Sequence, residues 1–188
     1  MAPSRLLLVV ALGLTGLGLW TFKRLDLDGP EPPPTSGPTA HARDPIVLAA
    51  PDTRKTTPEL TVINDHGETR ALSTLWPNRP VLVHFWATWC APCIAELPGL
   101  NELARQSDGK LTILPISLDR DAIEETRKYF AAHHLDALAI LASAPGSPTP
   151  EVLPTSFLVD RMGREAWKAV GAHPWTGTDV QTAIEALQ

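Results

Sequence analysis

The sequence predicts an α/β sandwich built on a mixed central sheet. Three observations predict it. Val81-Leu82-Val83-His84-Phe85-Trp86 is a near-continuous apolar run, as a strand buried on both faces requires. From that run to His134, strand and helix signals alternate, the order that builds parallel strands with crossover helices. Thr155–Asp160 and Glu165–Val170 then bracket Arg161-Met162-Gly163-Arg164, a hairpin signal, and an amphipathic segment from Thr178 to Leu187 closes the chain.

In chain order, Leu60–Ile63 and Glu68–Leu72 flank Asn64-Asp65-His66-Gly67, a first hairpin, and Ser73–Trp76 is a short turn ended by Pro77. After the central strand, Ile94, Leu97, Leu100 and Leu103 recur at helical spacing, with Pro98 inside the pattern predicting a kink. Leu111–Ile116 reads as a strand, Asp121–His134 as a helix with Ile123, Tyr129 and Phe130 inward, and Ala137–Leu141 as a short strand. Ser143–Pro150 is a loop rich in proline, glycine and serine.

The chain of 188 residues is long enough for one domain with an appendage, and its net charge of −5 argues against a nucleic-acid partner. The appendage is N-terminal. Arg5 precedes an uncharged run from Leu6 to Phe22 that ends at Lys23-Arg24, so residues 1–24 read as a membrane anchor at the short end of the spanning range. A cleaved signal peptide is the competing reading, but no Ala-x-Ala site precedes Lys23. Residues 25–45, rich in the chain's 19 prolines, form a linker that favours extended backbone. The folded domain is expected over 46–188.

Trp89-Cys90-Ala91-Pro92-Cys93 carries the chemistry. It contains the only two cysteines of the chain, between the apolar strand and the helix that follows. Two thiols at a helix N-terminus sit where unpaired amides and the macrodipole favour an anion, and the thiolate is the reactive form in disulfide exchange. A zinc site needs about four ligands, and no second Cys pair or spaced His pair supplies them. Copper bound by two thiolates stays open. A staple closing so short a loop would stabilise little.

Phe85-Trp86-Ala87-Thr88-Trp89-Cys90-Ala91-Pro92-Cys93 resembles the active-site signature of the thioredoxin superfamily, and Leu153–Asp160 resembles its cis-proline loop and following strand. The expected anchor, the hairpin before the core, the insertion around 117–141 and Glu96 are most similar to the membrane-anchored bacterial TlpA/ResA/CcmG group, and the tail through Trp175 to TlpA-like members. The resemblance implies a thioredoxin fold and assigns roles. Cys90 attacks and forms the mixed disulfide with a partner, and Cys93 resolves it. Pro154 is held cis, leaving the Leu153 backbone, beside Thr155, free to pair with an extended substrate. Trp89 shields the site or simply packs.

Glu96 has two readings, a carboxylate favoured near the helix start and a group that raises the Cys93 pKa and assists its proton transfer. His84 departs from the resembling proteins, which carry Asp or Asn there. Neutral, it accepts a proton from Cys93 or is a hydrogen-bonded core residue; charged, it would stabilise thiolate and make the pair an oxidant. His133, His134 and His173 read as solvated positions.

The implied activity is that of a thiol–disulfide oxidoreductase, anchored in the inner membrane, facing the periplasm and reducing disulfides in a client. In the resembling group, clients include apocytochrome c and copper-delivery proteins. No dissociable cofactor is implied. With no third cysteine, another protein, a membrane electron donor, must reset the pair. A copper-binding dithiol module, a peroxidase and a disulfide-donating oxidase remain the alternatives.

Overall fold

The computed structural model describes residues 45–75 and 78–188. The anchor and nearly all of the linker expected from the sequence, and Trp76 and Pro77 of the short turn, lie outside the described residues. Among the described residues no helix is long and apolar enough to cross a membrane.

One eight-stranded sheet organises the domain. Its strands are β1 (Lys55–Thr56), β2 (Thr61–Asn64), β3 (Thr69–Ala71), β4 (Val81–Trp86), β5 (Thr112–Ser117), β6 (Leu141–Ser143), β7 (Thr155–Val159) and β8 (Arg164–Val170). The order across the sheet is β1-β8-β7-β4-β5-β6-β2-β3. The pairs β4–β5 and β5–β6 are parallel and the others antiparallel, so the sheet is mixed, as the sequence predicts. Three helices accompany it, α1 (Ala91–Gln106), α2 (Ala122–Ala132) and α3 (Thr178–Ala186), with a 3₁₀ turn at Leu72–Leu75.

Every residue of β4 is buried, because the strand lies between β5 and β7 and carries side chains into both cores. Leu82 and Trp86 join the larger core, with Leu97, Leu100 and Leu103 of α1, Phe130 of α2 and Val180 and Ile184 of α3. Val81, Val83 and Phe85 alternate to the other face and pack with Leu60, Val62, Leu72, Ile116 and Val159. His84 shares the parity of Leu82 and Trp86, which turns its ring to the face that carries α1.

Both hairpins close by one device. Asn64 Oδ1 accepts the N–H groups of His66 and Glu68, and Asp160 Oδ1 those of Met162 and Arg164. Gly67 and Gly163 supply the positive φ (77° and 76°) that each turn needs. Asp160 also pairs with Arg54 and Arg164, tying the segment before β1 to the second hairpin.

Two sequence readings change, and one strand is added. The short strand expected over Ala137–Leu141 is instead β6, which begins at Leu141, because β6 pairs with Val62–Asn64 of β2 as well as with β5. The two-residue strand β1 has no period to detect; its pairing with β8 alone defines it. Helix α1 carries Pro98 on its exposed side, with helical backbone before and after it. His173, read as solvated, is buried, edge-on to Trp167 and tilted against Trp175.

Candidate active site

The site forms where three elements end together. β4 delivers the chain to Ala87-Thr88-Trp89, α1 starts at Ala91, and β7, antiparallel to β4, begins at Thr155 opposite Phe85. The Leu153-Pro154 turn before β7 is therefore brought to the same sheet end as the cysteines.

Cys90 and Cys93 are joined in a disulfide. Cys90 is the N-cap of α1, with extended backbone (φ −93°, ψ 92°), and its Sγ accepts the Cys93 N–H at 3.4 Å. In the reduced protein that same amide and the helix dipole favour a Cys90 thiolate. Pro92 lies in the first turn, where its missing N–H costs nothing. Cys90 retains 6% exposure and Cys93 none, so a partner reaches the first sulfur and not the second. Trp89 is 70% exposed; it stands beside the disulfide as an open apolar face instead of packing over it.

The loop that presents Trp89 is held by Asp119. Its carboxylate accepts the Thr88 N–H at 3.0 Å, the Thr88 hydroxyl at 2.9 Å and the Ser117 hydroxyl at 2.9 Å. Sequence reasoning missed this anchor because Asp119 follows β5 and meets Thr88 only through the parallel pairing of β4 with β5.

The Leu153–Pro154 peptide bond is cis. Pro154 O accepts the Gly171 N–H at 2.8 Å, and the Thr155 hydroxyl donates to Val152 O at 2.7 Å, fixing the turn from both sides. Neither the N–H nor the carbonyl of Leu153 bonds to another described residue, which leaves both available to an extended peptide. Exposed Val152 adds apolar surface next to it.

Glu96 lies one turn after Cys93 on the buried side of α1, and side chains three apart on a helix are neighbours. Its Oε1 accepts two hydrogen bonds of 2.8 Å, from the His173 N–H and from the Trp175 indole Nε1–H, while buried Oε2 has no partner. Burial pushes the carboxyl up to about 7 against the two hydrogen bonds, which pull it down. A group poised there exchanges protons at neutral pH. The segment Ala172–Trp175 that holds Glu96 was not legible as part of the site: no local pattern announces that an indole 79 residues along the chain is its donor.

His84 is fully buried. Its Nδ1 lies 2.9 Å from Ser156 Oγ on β7, Nε2 has no partner, and the ring meets Trp175 edge-on at 6.3 Å. Burial drives the imidazole down to about 3, so it is neutral at neutral pH. The charged form that would stabilise thiolate is thereby removed, and His84 is left as a neutral, singly bonded core group.

These residues combine an accessible sulfur, a buried sulfur, a carboxyl with an intermediate proton affinity, and an open backbone strip. Such a set performs thiol–disulfide exchange. Comparison with known proteins agrees. The Redoxin family model matches residues 49–187. A thioredoxin of Mycolicibacterium smegmatis is 34% identical over 79 residues, 42% of this chain and 69% of the relative. The thiol-disulfide oxidoreductase ResA of Bacillus cereus is 31% identical over 121 residues, 62% of this chain and 69% of the relative. The crystal structure of a DsbF homologue from Corynebacterium diphtheriae superposes with a TM-score of 0.61 at 17% identity, covering 75% of this chain and 92% of the other, a likeness of fold.

Proposed function

The chain belongs to the Redoxin family within the thioredoxin superfamily, and from that premise we propose that this thiol–disulfide oxidoreductase works as a reductase of client disulfides outside the cytoplasmic membrane. The observation that carries the direction is the buried Glu96 carboxyl one turn from Cys93, beside a neutral His84. A negative charge near a thiol disfavours its thiolate, and no imidazolium offsets it, so the reduced pair is less stabilised than in a strong oxidant.

In the forward step the Cys90 thiolate attacks one client sulfur and forms a mixed disulfide, and the other client sulfur leaves as a thiolate that takes a proton. Cys93, losing its proton to the Glu96 carboxylate, then attacks Cys90 Sγ. The Cys90–Cys93 disulfide forms and the first client sulfur departs as the second thiolate. Two electrons pass to the client, and a separate dithiol must return them, since the chain has no third cysteine. The free Leu153 backbone and the apolar faces of Trp89 and Val152 receive an extended client segment in this reading.

The apolar run Leu6–Phe22 and the proline-rich linker support an inner-membrane anchor with the domain in the periplasm and a membrane electron donor as the resetting partner. The clients proposed are apocytochrome c or a copper-delivery protein. The Cys93→Ala variant of the full chain tests the reading. Without the resolving thiol, Cys90 should accumulate mixed disulfides with such clients in envelope preparations, lost in the double variant with Cys90→Ala. A Cys93→Ala protein that traps no partner through Cys90 would contradict it.

A further inference from the structure

The contacts of Glu96 are one-sided. Both of its donors, the His173 amide and the Trp175 indole, converge on Oε1, and neither touches Oε2, which is buried and unpartnered. An oxygen that already accepts two hydrogen bonds cannot take a proton without losing one of them, whereas the bare oxygen takes it at no such cost. We propose that Trp175 is a positioning residue that locks the Glu96 carboxyl with Oε1 filled, so that Oε2 is the oxygen that gains and loses the proton exchanged with Cys93. This inference rests on the proton-transfer role of Glu96 in the proposed function and adds the group that governs it.

Trp175 is built for that task. It is 2% exposed and wedged edge-on between His84 (6.3 Å) and Trp167 (6.2 Å), with His173 tilted against it at 4.9 Å, so the indole is held from three sides. Gly99 on the next turn of α1 lies against it, where an added Cβ would stand 3.6 Å from Trp175 Cβ. A cavity whose lining includes Ala95, Glu96, Gly99, Pro174, Trp175 and Thr176 lies on this side of α1.

The titratable groups around Glu96 are few. On α1 there is Cys93; on β4, His84, held neutral by burial; and in the 172–176 segment, His173, lowered by burial, with Nε2 3.7 Å from Asp179 Oδ2 of α3. Among the described residues no charged side chain contributes to the proton affinity of Glu96; burial raises it and the two donors lower it. Of those two, only the indole is a side-chain donor.

The test is a pH titration of the full chain by NMR, following the Glu96 carboxyl carbon and the Trp175 indole N–H together. The expected result is one shared midpoint, since the indole donates to the group that titrates. In Trp175→Phe, which keeps an aromatic ring, the Glu96 midpoint should rise by about one pH unit, the effect of losing one hydrogen bond to a charged group. An indole resonance that stays flat through the Glu96 titration overturns the inference using the unaltered protein alone, as does an unmoved midpoint in Trp175→Phe. The pH profile of disulfide exchange in Glu96→Gln separates the two readings. Loss of the limb near neutrality supports the role of Glu96, and an unchanged profile overturns that role whatever Trp175 does to the carboxyl.

Discussion

At the scale of single residues, two buried titratable groups act in opposite senses. Glu96 is raised from its ordinary value of 4.5 to about 7. The native state therefore holds a proton that the unfolded chain has released, and stability falls as pH rises from about 4.5 to about 7, by on the order of 3 kcal/mol. His84 is depressed from 6.5 to about 3. Its contribution is complete above 6.5 and is lost as pH falls towards 3, because the unfolded chain takes up the proton first. Between 4.5 and 6.5 the two slopes offset each other. Urea titrations should show Glu96→Gln more stable than the parent at pH 8 and indistinguishable at pH 4; an equal difference at both values would contradict the raised carboxyl. Cys90 and Cys93 were readable from the sequence because their whole signal is local. The partners of Glu96 and His84 were not: Trp175, His173 and Ser156 reach them only through packing of segments far apart in the chain.

At the scale of elements, strand-to-helix junctions decide the site's rigidity. The Ala87–Cys90 stretch has no regular pairing of its own, and Asp119 replaces it with three hydrogen bonds into Thr88 and Ser117. Replacing Asp119 with Ala leaves a half-buried amide and two hydroxyls without their acceptor. The expected cost is about 2 kcal/mol or more in urea unfolding, since hydrogen bonds to a charged group are the stronger kind. A loss below a few tenths would show that the loop is held by something else. Strands β4 and β7 and all three helices were legible because apolar period and turn residues mark them over five residues or more. β1 and β6, of two and three residues, carry too little sequence for any period, and the sheet's other strands define them.

At the scale of the whole molecule, the mixed sheet places the N-terminus of α1 and the turn before β7 at one end, and the reactive chemistry follows from that juxtaposition. The fold class was legible because strand, helix, hairpin and helix signals come in an order with few arrangements. The eight-strand order was not, since β2 and β3 join the far edge through β6, a pairing that leaves no local trace. The direction of electron flow belongs to this scale too, because it is set by the energy of the entire reduced domain against the oxidised one. The reduction potential of the full chain, equilibrated in thiol redox buffers and read by the fluorescence of exposed Trp89 beside the disulfide, decides that direction. The expected value is near or below about −200 mV, in the range of reductants. A value near about −120 mV would make the protein a disulfide donor and contradict the roles assigned to Glu96 and neutral His84.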